Sequence, residues 1–276
     1  MLDFDTNFVY ISKLLKSDYK DFCDELITLF DKLDIKWDFL EGTRDIWVRD
    51  FMPIQLGKND FWGYKYEPDY LKDKSQFISD QAKIAKSINL EFHPSDIVFD
   101  GGNIVLCDDV AIICDKVFAE NSKKFSKQEL CAVLEKMLNK KVVFLPWRKH
   151  GDDVYGHSDG FVKFCGDKKV LMSSHGDGYK NEAKQIVAIL ENSGFEVEQM
   201  SFKKPCYESD WAYINFLQVG KNIIMPKFDN TNDEIAMGFV ASNFKYADIH
   251  AIDCSQIAKD GGVLHCVAWN IYREQK

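Results

Sequence analysis

Asp50, Asp100, His157, Trp211 and Cys266 follow one another at intervals of 50, 57, 54 and 55 positions, and this near-regular spacing constrains the fold more than any other feature. The stretches between these landmarks carry the same patterns in the same order. Four read as hairpins, each an apolar run, a polar turn and a second apolar run. They run from Met52 to Tyr66 with a turn at Gly57-Lys58-Asn59, from Asn103 to Cys114 at Asp108-Asp109, from Phe161 to Ser173 at Gly166-Asp167, and from Ile214 to Pro226 at Gly220-Lys221-Asn222. A helical pattern and another strand follow each. Ser126 and Glu129 have the spacing of a capping box and open a helix through Leu138, before a strand over Lys141-Val142-Val143-Phe144-Leu145. Asn181 to Asn192 reads as a helix ahead of Phe195-Glu196-Val197, and Thr231 with Glu234 gives a second capping-box spacing before a strand near Ala247 to Ile252. The repeating unit is strand, strand, helix, strand. A unit of this size buries its apolar face only against its neighbours, so five of them predict a ring with the landmarks at its centre. A layered α/β fold with hairpins also accommodates irregular repeats.

With six prolines, no Gly/Ser tract and no long charge block, the 276 residues are expected to form a single domain spanning 1–276. The formal charge of −9 argues against nucleic acid or an anionic membrane surface as partner and favours cationic small molecules. Met1-Leu2-Asp3-Phe4-Asp5 lacks the pattern of a secretory leader, and no run approaches the ~20 apolar residues that span a bilayer, so a cytoplasmic protein is expected. Eight cysteines without a C-x-x-C pair suit reduced thiols rather than a disulfide framework or a structural zinc site.

Among those cysteines, Cys266 closes the run Gly261-Gly262-Val263-Leu264-His265-Cys266, where paired glycines let the backbone approach a ligand closely. A buried core cysteine is the bland alternative. Its neighbour His265 would face the other way on a strand, which leaves His157 as the better proton-transfer candidate. In Gly156-His157-Ser158-Asp159 the histidine and aspartate are two apart, and on an extended strand both face one pocket. Asp50 lies in Trp47-Val48-Arg49-Asp50, read as a strand ending in a turn, with Trp47 and Arg49 on the same face. Asp50 could equally belong to a surface ion pair, and Asp100, ahead of Gly101-Gly102, to an ordinary turn. A thiol, a histidine and three carboxylates suit attack on a cationic carbon such as the centre of a guanidinium.

W-x-R-D-x-x-P, G-G-N, G-H-x-D and a terminal G-G-x-x-H-C, in this order, make the chain resemble the agmatine deiminase and bacterial peptidylarginine deiminase family, from about Trp47 to Asn270 and including Tyr213-Ile214-Asn215-Phe216. The resemblance implies the pentein fold, a five-bladed α/β propeller of ββαβ units. It implies Cys266 as nucleophile, His157 as proton-transfer residue with Asp100 beside it, and Asp50 and Asp159 as the carboxylates gripping the guanidinium. Trp47, Gly102 and Asn103, from the same motifs, complete the candidate substrate-binding set. Where the family usually has glutamate before Gly-Gly, this chain has the shorter Asp100.

The implied reaction is hydrolysis of a guanidino group to a ureido group with loss of ammonia through a covalent cysteine intermediate, needing no metal or organic cofactor. Agmatine is the favoured substrate, because few arginines are present to bind the carboxylate of free arginine; arginyl peptides, other guanidino compounds and amidino transfer stay open. A homodimer is compatible with the sequence. Two readings from other classes also stand: a metal-dependent hydrolase using His157-Ser158-Asp159 and His175-Gly176-Asp177, and a non-catalytic binding protein on the same fold.

Overall fold

In the computed structural model, which describes residues 1–147, 153–173, 180–206 and 209–274, the strands form five small sheets. Three sheets repeat one plan. Val105–Leu106 pairs antiparallel with Val110–Cys114, and after helix Lys127–Leu138 the chain returns as Lys141–Leu145, parallel to Val110–Cys114. Val162–Gly166, Lys169–Met172, helix Lys180–Asn192 and Glu196–Gln199 do the same. So do Leu217–Val219, Asn222–Lys227, helix Asn232–Asn243 and Asp248–Asp253. The first unit is reduced. Ile54–Gly57 pairs with Asp60–Trp62, and beyond helix Gln81–Ser87 the chain adds only two parallel bridges, Trp62 to His93 and Lys65 to Val98. All four hairpins expected from the sequence are present with their turns.

The fifth sheet joins the two ends of the described chain. Ala268–Ile271 pairs antiparallel with Phe8–Ser12, and after helix Lys20–Lys32 the strand Lys36–Leu40 lies parallel to Phe8–Ser12. It is the same unit with its hairpin turn replaced by the whole chain, which closes the ring. The blades pack through continuous apolar clusters. One gathers Tyr10, Phe51, Trp62, Phe99, Ile113 and Trp269 from three blades, all buried.

Sequence signals set the helix starts unequally. Ser126 caps its helix as expected: the Glu129 amide donates to Ser126 Oγ at 3.2 Å, and the Ser126 amide donates to Glu129 Oε2 at 2.9 Å. Thr231 does not form the second capping box, because its backbone is already helical (φ −66°, ψ −13°) whereas a capping residue is extended. Asp233 takes over, its Oδ2 accepting from the Asn230 amide at 3.2 Å and its Oδ1 from the Phe228 amide at 2.9 Å. No helix among the described residues is long and apolar enough to cross a membrane.

Candidate active site

A single helical turn precedes the first strand of each blade, and every landmark lies on one of these turns or caps it. The turns are Val48–Phe51, Gly101–Asn103, Ser158–Gly160, Asp210–Ile214 and Leu264–Val267. Adjacent turns touch around the axis, and the His265 amide donates to Asn215 O at 3.1 Å between the last two. The expected convergence is therefore real, but Asp50 and Cys266 lie within helical turns rather than on the strands expected, and His157, though extended, caps such a turn. A one-turn helix sends neighbouring side chains to different sides of the ring, so the turns at Val48–Phe51 and Leu264–Val267 each serve two cavities.

One is a cleft of about 170 Å³ lined by residues including Asp45, Trp47, Asp50, Tyr66, Tyr70, Tyr155, His157, Gly262 and Cys266. Its wall runs from exposed Lys74, Val154 and Asp260 down to buried Asp50 and Cys266. The second, about 70 Å³, lies along the axis and is lined in part by Asp3, Arg49, Gly101, Asp159, Lys163, His265 and Asn270. Residues adjacent in sequence thus separate: Cys266 lines the cleft and His265 the axial cavity, and Trp47 lines the cleft while Arg49 turns to the axis. His265 accordingly points away from the cleft, as expected. Trp47 and Arg49 do not share a face, a correction that follows from the turn beginning between them at Val48.

His157 stands between two carboxylates. Its Nε2 is 3.0 Å from Asp100 Oδ2, and its Nδ1 is 3.6 Å from Asp50 Oδ1. Burial alone would lower the imidazole's affinity for a proton, but the charge of Asp50 and the hydrogen bond and charge of Asp100 outweigh it, raising the pKa to about 10. Burial, reinforced by Asp100, Asp159 and Asp45, pushes the Asp50 carboxyl up to about 7 against the pull of His157. Cys266 is 8% exposed, and burial followed by the charges of Asp159 and Asp50 raises its thiol well above the ordinary value. The thiol lies 3.3 Å from Asn215 Oδ1, which accepts its hydrogen bond.

Glycine makes this proximity possible. A Cβ on Gly102 would come within 2.6 Å of His157 Nδ1 and 2.7 Å of Asp50 Oδ1, and one on Gly262 within 2.4 Å of the Trp47 ring. Three buried carboxylate oxygens on the turns around Cys266, Asp50 Oδ1, Asp100 Oδ1 and Asp159 Oδ1, have no hydrogen-bond partner among the described residues. Buried acceptors in this state call for donors. A planar cation with several N–H groups would supply them.

Two expected site residues fall elsewhere. Asp159 does not share the cleft with His157. His157 caps the 3-10 turn 158–160 with an extended backbone whereas Asp159 lies inside the turn, so the pair is not carried on one strand; Asp159 lines the axial cavity and its Oδ2 lies 2.6 Å from His265 Nδ1. Asn103 is structural: its Oδ1 accepts from the Cys114 amide at 2.7 Å and from Ser158 Oγ at 3.2 Å, tying two blades together. Trp211 packs into the apolar cluster beneath the fifth blade rather than into the cleft. Asp45, Tyr66, Tyr70 and Tyr155 had no motif to mark them, and Asn215 was marked only as part of the run Tyr213-Ile214-Asn215-Phe216. His175 and Asp177 lie outside the described residues; among the described ones, no three His, Cys, Asp or Glu side chains are grouped to hold a metal.

The family model of the Porphyromonas-type peptidyl-arginine deiminases matches residues 15–271. The agmatine deiminase of Pseudomonas fluorescens is 24% identical over 273 residues, spanning 81% of this chain and 73% of that one. Among solved structures, a cysteine-to-serine variant of the C. jejuni agmatine deiminase with substrate bound superposes with a TM-score of 0.79 at 18% identity, covering 100% of this chain and 96% of that one. The agmatine deiminase of Enterococcus faecalis gives 0.76 at 17%, with 99% and 95% covered. The ring of five units is the pentein propeller.

Proposed function

Because the chain belongs to the Porphyromonas-type peptidyl-arginine deiminase family, we propose that it is a guanidine deiminase, with the 276 residues acting as one catalytic unit that converts a guanidino group to a ureido group and releases ammonia. The observation that carries this is the meeting of the Cys266 thiol with buried carboxylates that keep unpartnered oxygens around a protonated His157.

Asp50 supplies the hydrogen-bonding carboxylate in the cleft, and Asp159 adds negative charge from the axial side of Cys266. A guanidinium bound there offsets the two charges that hold the thiol protonated, so the thiol gives its proton to solvent in the cleft as the substrate binds. Sulfur then attacks the central carbon, forming a C–S bond. The His157 imidazolium gives its proton to the departing nitrogen, the C–N bond breaks, and ammonia leaves a thiouronium on Cys266. Neutral His157 next takes a proton from water, which adds to the same carbon. Collapse breaks the C–S bond and frees the ureido product. Asp100 and Tyr70, whose hydroxyl donates to Asp100 Oδ2 at 3.0 Å, hold the imidazole for both transfers.

For the substrate we propose agmatine, the compound for which the relatives are named. Support comes from the cleft wall, where among the described residues Asp45 and Asp260 stand against one lysine, Lys74, a balance that suits a distal ammonium better than a carboxylate. The test is ammonia release from agmatine by the purified protein beside Cys266→Ala. Wild-type turnover with loss of at least about 10³-fold in the variant is expected; a variant as active as wild type would exclude Cys266 as nucleophile.

A further inference from the structure

We propose that Asp3, brought to the axis from the N-terminal segment, is a positioning residue of this reaction: with Lys163 it fixes His265, and His265 in turn holds Asp159 behind Cys266. The segment Asp3–Asp5 forms a short 3-10 turn ahead of strand Phe8–Ser12, and Asp3 lines the axial cavity with Asp159 and His265. Its carboxylate is committed on several sides. Oδ2 accepts from Lys163 Nζ at 2.6 Å and lies 3.6 Å from His265 Nε2, which is ion-pair range, while Oδ1 accepts from Asn270 Nδ2 at 3.0 Å. The opposite edge of the same imidazole meets Asp159 Oδ2 at 2.6 Å. His265 is therefore clamped between two carboxylates, one from the turn beside the nucleophile and one from the far end of the sequence.

Lys163 has little other reason to be where it is. Its side chain is 5% exposed, and besides Asp3 it meets Phe216 O at 3.3 Å and lies over the Phe216 ring. A buried ammonium held by one carboxylate fixes that carboxylate in place as firmly as the reverse. The charged and titratable groups facing the His265–Asp159 pair are Asp3, Lys163, Arg49, Asp50, His157 and Cys266. Burial would raise the Asp159 carboxyl, but the hydrogen bond and charge of His265, then His157 and Arg49, keep it low. Neutralising Asp3 loosens one of the two contacts that clamp His265, so the imidazole can move off Asp159 and give up that hydrogen bond. Asp159 then rises, and the negative charge behind Cys266 is lost at a higher pH.

The effect on turnover rests on the guanidine deiminase assignment, so wild-type ammonia release from agmatine, arginine and an arginyl peptide is measured first. Asp3→Asn, which keeps the shape, and Asp3→Glu, which keeps the charge, are then compared for kcat, KM, the pH profile of kcat/KM and thermal melting. Asp3→Asn is expected to lose about tenfold or more in kcat/KM, with an acid side that steepens beyond the single-proton fall set by Asp50 as Asp159 takes up its proton at higher pH than in the wild type, while Asp3→Glu recovers most of the activity. If Asp3→Asn stays within twofold of wild type with an unshifted profile, the proposal is overturned while the deiminase assignment stands. Equal losses in both variants with lowered melting would make Asp3 a packing residue only, which also overturns it. A wild type inactive on every guanidino compound sinks the assignment, and this proposal with it.

Discussion

Asp50 and His157 lie 3.6 Å apart and depart from their ordinary titration in the same upward direction for different reasons, burial for the acid and neighbouring anions for the base. The acid limb of activity is where this becomes visible. As the pH falls through about 7, Asp50 gains a proton and loses the charge that attracts a guanidinium, whereas His157 keeps its proton up to about 10. The kcat/KM profile of the free enzyme should thus fall by about tenfold per pH unit below neutrality. Asp50→Asn should flatten that limb and cost about 10²-fold or more; an acid limb centred below pH 5 would show that Asp50 is not the controlling group. Gly102 sets the same geometry from the backbone. Gly102→Ala puts a carbon 2.6 Å from His157 Nδ1, and the forced displacement of the imidazole should lower kcat about 10²-fold in steady-state assays, as misplacement of a reacting group near 1 Å does. The reactive residues were legible because glycine pairs flank Asp100 and Cys266 and a glycine precedes His157. Asp45 and Tyr155 reach the cleft from just outside these motifs, Tyr155 one residue ahead of Gly156.

Helix Lys116–Asn121 carries the element-scale device of the site, a lysine turned inward. Lys116, 1% exposed, places Nζ 2.8 Å from Asp69 and 3.3 Å from Glu120, over the Tyr70 ring at 4.8 Å. Gly156, at φ +65°, packs so closely that a Cβ would come within 2.9 Å of Lys116 Cδ. One side chain therefore fastens both the segment bearing Tyr70 and the segment leading to His157. Burial, then the charge of Asp100, pushes the Glu120 carboxyl up to about 7 despite Lys116. Lys116→Met leaves that carboxylate unpaired and should destabilise the fold by about 3–5 kcal/mol in urea unfolding. Adding Glu120→Gln should restore part of the loss, and strict additivity of the two changes would show that they do not interact. At this scale the sequence displayed the hairpins and long helices well, because turn residues and apolar periods extend over enough positions to be recognised. It concealed the one-turn helices that carry the chemistry: three to five residues are too few for a period, and Gly-His-Ser-Asp fits an extended strand equally well. Thr231 misled for a related reason, since spacing alone does not reveal that its backbone is already helical.

The ring itself exists only when the last strand meets the first. Four hairpins were legible because each has a local turn, whereas the fifth pairs Phe8 with Ile271, and no short-range pattern connects them. Asp3 escaped notice for the same reason, since its partners lie at positions 163, 265 and 270. Closure makes the turn bearing Cys266 depend on the fifth sheet, because Leu264–Val267 runs directly into the strand Ala268–Ile271. Trp269 locks that strand to the first blade. It is 2% exposed, its Nε1 donates to Pro53 O at 2.9 Å, and its ring meets Tyr10 and Phe61 with centroids 5.6 and 6.0 Å away. Trp269→Ala should cost about 3–5 kcal/mol, a large share of the roughly 5–15 kcal/mol that holds a domain folded. Because each blade covers its apolar face with its neighbours, the ring should come apart as one unit rather than blade by blade. Far-UV dichroism, tryptophan fluorescence and ammonia release should consequently fall at a single urea midpoint, lower in Trp269→Ala but with an unchanged slope. Activity lost well before dichroism would mean that the seam between the chain's ends opens on its own, and that the fifth blade is held less tightly than the other four.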